Sequence, residues 1–254
     1  MAALMLDWLG SEAEVLKRIA ANRQALANTI HFALDSAFPH PEHAFAQSVY
    51  VGINIPRAKL QLAPDQRPGD IDYLIVPFSE NEILFERTIA IEAKIVRPLI
   101  RNPGRNTNTM GRAQARGLLC DGFPFVGLVH ISVPESMPSH MHWEVPEISD
   151  IVGPNGELIE TGECFMFDPF PLFSARRQEG RVLALGLPEE VGYRVIAMTL
   201  SNDGERFCGF TIGEARAGAR NPVVSNLVLE AVRMLLATEP HLFEVVHWFN
   251  EVGA

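Results

Sequence analysis

Lysine is almost missing from this chain: only Lys17, Lys59 and Lys94 stand among 21 basic residues. Cysteine is equally sparse. Cys120, Cys164 and Cys208 are widely spaced with no C-x-x-C, which excludes a disulfide framework and reads as reduced thiols in a cytoplasmic protein. No apolar run approaches the roughly 18 residues that a membrane span needs. The start, MAALMLDWLGSEAEV, lacks the basic end and long apolar core of a secretory signal. There is no P-loop, no G-x-S-x-G, no dinucleotide-binding glycine pattern and no internal repeat. Nucleotide hydrolysis and serine-hydrolase chemistry therefore have no support. Basic residues are outnumbered by 31 acidic ones, for a net charge of −10. That balance argues against a protein coated by nucleic acid, though it leaves room for a local basic stretch.

What is present is an ordinary globular composition, 47% apolar and 20% charged over 254 residues, enough for one sizeable domain or two small ones. Two apolar runs, Ile71–Pro77 and Ile89–Val96, read as strands buried on both faces. Yet the first is preceded by Asp70 and contains Asp72, and the second contains Glu92 and Lys94. Side chains alternate along a strand, so Asp70 and Asp72 share one face, as do Glu92 and Lys94. Ionised groups are almost never buried without a partner. One explanation is a divalent cation: two or three carboxylates make a hard oxygen site for Mg²⁺ or Mn²⁺. The other is an internal ion pair of Lys94 with Glu92 or Asp72. The scarcity of lysine favours the first. An arginine serves a salt bridge at least as well, whereas lysine suits a place that needs a compact ammonium.

The pattern D-x-D-Y-L-I-V, followed about twenty residues later by I-A-I-E-A-K, resembles the core of the PD-(D/E)XK nuclease superfamily. The resemblance spans roughly residues 45–135 and implies a restriction-endonuclease-like α/β (α+β) core, a mixed central sheet flanked by helices. It maps the superfamily's metal-binding aspartate onto Asp72, its second acid onto Glu92, its lysine onto Lys94 and a helical glutamine onto Gln114. The literal P-D is absent, because Pro68, Gly69 and Asp70 precede Asp72, so either aspartate is a candidate ligand. Members also carry a glutamate on a first helix. Glu14 is placed for that, but a first-turn glutamate serves the helix dipole, and it is left outside the site.

From Lys94 to Cys120 the chain carries Lys94, Arg97, Arg101, Arg105, Arg112 and Arg116 with no acid. Arginine suits phosphate by bidentate pairing, so Arg97, Arg101, Arg105 and Arg112 are the candidate nucleic-acid contacts. The alternative is a solvated loop whose arginines pair with acids elsewhere.

In chain order we expect a helix over 11–37 capped by Ser11, a strand over 46–55, and an antiparallel connection between the two motif strands. A helix capped by Thr107, Asn108 or Thr109 should run to about 119, followed by a strand over 125–133 holding His130 as a core residue. Residues 1–133 thus form the nuclease-like core. Residues 134–254 read as a C-terminal extension packing on it, beginning with a long proline-rich insertion or linker. His140 and His142 there lack a third zinc ligand at a recognisable spacing. The aromatic stretch 164–173 reads as a hydrophobic brace, or as a base-stacking surface. A hairpin turning at Asn202, Asp203 and Gly204, a helix from Asn221 and Pro222 to about 237, and a short helix over 241–249 complete the chain.

Together these readings imply a Mg²⁺- or Mn²⁺-dependent endonuclease with catalytic Asp72, Glu92, Lys94 and Gln114, and metal ligands Asp72, Glu92 and Asp70. The resemblance alone favours DNA over RNA, a bacterial defence or restriction setting, and a protein partner or homodimer. The alternative is a non-catalytic subunit of a larger complex, with the charged strands as a structural ion-pair network.

Overall fold

The structure is a computed structural model that describes residues 11–37, 48–62, 69–79, 82–102, 111–152, 158–200, 207–211 and 216–247. The two strands with charges in them appear where their apolar runs place them, at Ile71–Ser79 (β2) and Ile89–Val96 (β4). Around them runs one mixed sheet. Its other members are β1 (Ser48–Ile55), β3 (Glu82–Ile83), β5 (Phe125–Ser132), β8 (Val191–Leu200), β9 (Phe207–Thr211) and β10 (Phe243–His247). The order is β10-β1-β2-β4-β5-β8-β9, with β3 paired to β2. β4, β5 and β8 are mutually parallel, and the other pairs are antiparallel. All eight residues of β5 are buried, as a central parallel strand requires.

Helices cover both faces. On one side lie α1 (Glu12–Ala21) and α2 (Arg23–Ala37), whose Leu16, Ile19 and Ile30 pack with Tyr73, Ile75, Ile91 and Val129. On the other lie α3 (Arg112–Asp121), α4 (Phe170–Ala184) and α5 (Asn226–Thr238), whose Leu118, Val182 and Val232 pack with Leu74, Leu128 and Tyr193. The architecture is the expected α/β mixed sheet flanked by helices. No helix among the described residues is long and apolar enough to cross a membrane.

Several elements depart from the expected ones. The first helix is two, broken at Asn22, which leaves helical geometry at φ −104° and ψ 104°. Its side chain accepts a hydrogen bond from Ala25 N–H at 3.0 Å. Asparagine bonds backbone groups readily and so ends one helix and opens the next. α3 begins after Gly111, and the expected caps at 107–109 lie outside the described residues. Its counterpart near the C-terminus begins after Ser225, whose Oγ accepts from Val228 N–H. Asn221 instead donates to the carbonyls of Leu119 and Phe123. Residues 243–247 are a strand, not a helix. Phe243, Val245 and Val246 favour extended backbone, and pairing with β1 satisfies what is otherwise an open sheet edge.

The largest departure is in the stretch expected to be a linker. Within it β6 (Trp143–Val152) forms and pairs with β7 (Leu158–Phe167), which lies beyond it, as an antiparallel ribbon and a sheet of its own. β8 to β10 then return to the main sheet, so the sheet draws strands from both sides of residue 133. The hairpin of β8 and β9 is present, and its turn lies outside the described residues.

Candidate active site at a fork between two strands

β2 and β4 pair through Tyr73↔Ile91, Leu74↔Ala90 and Ile75↔Ile89. One step further would set Asp72 opposite Glu92, but there the ladder stops. The N–H groups that β4 turns toward β2 need other partners, and carboxylates supply them. Asp72 Oδ2 accepts from Ala93 N–H at 2.7 Å. Glu12 Oε2, reaching in from the first turn of α1, accepts a longer bond from Ile95 N–H at 3.5 Å. The strands part, and two acidic side chains fill the opening.

Glu92 and Lys94 face that opening from β4. Lys94 Nζ donates to Glu12 Oε1 at 2.7 Å. It also lies 2.6 Å from Glu92 Oε1, so one ammonium serves two carboxylates. The Glu92 side chain is only 3% exposed and that of Lys94 13%.

The electrostatics follow from three carboxylates around one ammonium in a desolvated place. Burial, reinforced by the charge of Asp72, pushes the Glu92 carboxyl up to about 8. Burial likewise raises Asp72 to about 6, against the opposing hydrogen bond from Ala93. For Lys94 burial acts downward, but its contacts with Glu12 and Glu92 and the Asp72 charge outweigh it, and its pKa is raised. Lys94 is therefore a firm cation, suited to stabilising negative charge and not to accepting a proton.

α3 closes the site from above. Gly111, its N-cap at φ +80°, has no side-chain cap. A Cβ there would stand 3.3 Å from Glu92 Cγ, 3.2 Å from Lys94 Cγ and 2.5 Å from Leu128 Cδ1. Only glycine accepts both the left-handed backbone and this approach. The uncapped end of α3 thus rests directly on Glu92 and Lys94, and helix N-termini favour anions.

The fork unites Asp72, Glu92 and Lys94 among the residues expected from sequence. Asp70 is exposed and touches the site only through its charge, which helps raise Asp72. Gln114 is half-buried, its Nε2 3.2 Å from where a side chain on Gly69 would begin, which sets it beside the segment leading into β2. Of the arginines, Arg97 is half-buried and Arg101 exposed, while Arg105 lies outside the described residues. Arg112 reaches away, donating to Gly186 O at 2.6 Å. His130, opposite Lys94 in the parallel register, is a buried core residue with Nδ1 3.1 Å from both Gln178 Nε2 and Tyr193 Oη. His142 Nε2 lies 3.0 Å from Met137 O, and His140 is exposed.

Sequence reasoning missed Glu12. Glu14 instead makes the capping box, accepting from Ser11 N–H at 2.5 Å while its own N–H bonds Ser11 Oγ. No group of three or more His, Cys, Asp or Glu side chains is assembled as a metal cage among the described residues. The pair Asp72 and Glu92 suits Mg²⁺ in another way, since that ion keeps most of its waters and takes one or two carboxylates with substrate phosphate. The chain matches no protein-family model, and neither a curated protein nor a solved structure matches it.

Proposed function

We propose that this protein is a metal-dependent nuclease hydrolysing phosphodiester bonds at the β2/β4 fork. The observation that carries the reading is the charge imbalance there: Glu12, Asp72 and Glu92 surround a single cation, Lys94, and Glu92 and Lys94 are largely shut off from water. Protein interiors relieve such an excess by holding a proton, as the raised Glu92 does, or by taking up a cation in its place. Asp72 and Glu92 would hold Mg²⁺ or Mn²⁺, which when bound supplies Lewis-acid polarisation of the phosphate and activation of water. Lys94, held by Glu12, places a fixed ammonium where charge grows on the phosphoryl oxygens. The uncapped N-terminus of α3, packed on the stems of Glu92 and Lys94, would add backbone donors for an anion. Gln114 orients the approach beside Gly69. Arg97 and Arg101 lie on the segment that continues β4 and would hold flanking phosphates. DNA ahead of RNA, and a setting in bacterial defence, rest on the family resemblance alone.

The test is cleavage of duplex, single-stranded and nicked DNA and of RNA, each with Mg²⁺, Mn²⁺ or EDTA, for wild type, Glu92→Ala and Lys94→Ala. Metal-dependent cutting lost in both variants supports the nuclease. A second reading, a non-catalytic subunit, is favoured by the ion pairing of Lys94 to both Glu12 and Glu92. No cutting, with no rise in melting temperature on adding metal, establishes that reading instead.

A further inference from the structure

The ribbon of β6 and β7 is the other unusual part of the molecule. Its described side chains, at 143–147 and 161–167, are all exposed or half-buried, and a two-stranded ribbon alone in water is marginally stable. The register sets Trp143 opposite Phe167 and Val145 opposite Phe165, so these four share a face. Trp143 is 51% and Phe165 49% exposed. The ribbon's base is fixed. Asp168 accepts from the N–H groups of Met137 and Phe170, each at 2.9 Å, and Trp143 packs edge-on against Phe173 of α4 with ring centres 5.5 Å apart. Trp143 and Phe165 thus form an aromatic platform that is held in place and about half exposed.

Charge narrows what covers it. Between Trp143 and Phe167 the chain has Glu144, Glu147, Asp150, Glu157, Glu160 and Glu163 and no lysine or arginine. Glu144, Glu147 and Glu163 are exposed, and a surface of that charge repels nucleic-acid phosphates, anionic lipid and the same ribbon of a second copy. It attracts cations, while the exposed rings need apolar or flat groups against them. Arginine meets both demands, pairing with carboxylates and stacking on aromatic faces. We propose that the β6–β7 ribbon docks a protein partner through a basic segment, rich in arginine and interleaved with apolar residues. This inference does not depend on the nuclease reading.

The probe is a short peptide alternating arginine and leucine, titrated into the full-length protein at physiological salt. A single-stranded DNA oligonucleotide and sedimentation of the protein alone run beside it. We expect saturable peptide binding that weakens about tenfold in Trp143→Ser/Phe165→Ser, a typical loss for aromatic anchors. The charge variant Glu147→Gln/Glu163→Gln, which keeps the ribbon's shape, should weaken it comparably. The control Glu86→Gln/Glu189→Gln/Glu230→Gln, three exposed acids outside the ribbon, should leave it unchanged. Peptide binding indifferent to Trp143→Ser/Phe165→Ser is bulk charge attraction and overturns the proposal. So does preferential DNA binding lost in that variant, which would make the face a base-stacking surface. Self-association lost in that variant would identify the occupant as a second copy and also overturn it.

Discussion

Two buried ionic sites in this protein are built on opposite principles. Arg57, in the short turn after β1, pairs with Asp121 at the end of α3, with side chains 7% and 8% exposed. One cation meets one anion there, with Arg57 Nε buried without a hydrogen-bond partner among the described residues. At the fork, three carboxylates meet one ammonium, and burial holds two of them well above the usual carboxylate range. The basic residue differs accordingly, with arginine where a fixed fork of donors closes a pair and lysine where a point charge sits among acids. Burial alone does not mark a functional site. Buried charge left without a one-to-one partner makes a functional-site candidate.

The contrast breaks first at the balanced pair. Arg57→Ala leaves Asp121 buried without its cation and should cost about 3–5 kcal/mol of stability, the usual consequence of removing one partner of a buried pair. Denaturant unfolding measures it, and cleavage per folded molecule should be unchanged. At the fork the effects divide the other way. Lys94→Ala should lower cleavage by roughly 10²–10³-fold, the scale of losing one group that stabilises transition-state charge, with the fold intact by circular dichroism. Comparable activity losses at Arg57 and Lys94, after correction for the folded fraction, would erase the distinction.

A subtler difference lies in pH. In the metal-free protein Glu92 titrates near 8 against an ordinary value of 4.5, so the folded state holds this proton more tightly than the unfolded chain. The stability that follows is fully present below the unfolded value and is lost as pH rises through the folded one. Asp72, at about 6, acts in the same sense over a lower range. In EDTA the melting temperature should therefore fall as the solution goes from about pH 5 to above about pH 8. Glu92→Gln should flatten that fall, and Mg²⁺ should reverse it at the alkaline end, because metal competes with the bound protons. Calorimetry with and without Mg²⁺ reads all three. A pH-independent melting temperature would mean that the fork is not the charge-strained place we describe.

The apolar runs made most of the sheet legible. β2, β4, β5 and β8 are dense in Ile, Val and Leu, and a strand buried on both faces announces itself by composition. The charged exceptions, Asp72, Glu92 and Lys94, were legible for the same reason: they contradict their surroundings. What sequence could not show was compensation at a distance. The run at 143–167 hid two strands because its prolines and acids resemble a linker, and an exposed ribbon has no buried face to signal. The strand at 243–247 is too short for its pattern to declare itself, and it forms because β1 has an edge to fill. Nothing in the local sequence marks Gly111, because what requires glycine there is the approach of Glu92, Lys94 and Leu128. Glu12 was hidden by Glu14, since both sit in the first turn of α1 and both suit the helix dipole.

Those two glutamates provide the finest version of the comparison. Two residues apart on a helix, they point roughly 200° from each other, one toward Lys94 and Ile95, the other back to Ser11. Glu12→Gln keeps the shape and removes the charge that braces Lys94, so cleavage should fall by about tenfold, the lower end of what outer positioning groups contribute at metal sites. Stability should hardly change. Glu14→Gln should weaken the capping box and leave cleavage alone. Ser11→Ala should cost about 1 kcal/mol as a lost cap, with a cleavage loss smaller than that of Glu12→Gln, because α1 still packs through Val15, Leu16 and Ile19. Thermal melts and single-turnover cleavage on the three variants separate the roles. Equal activity losses for Glu12→Gln and Glu14→Gln would mean that α1 acts only by holding its position, and that Lys94 answers to Glu92 alone.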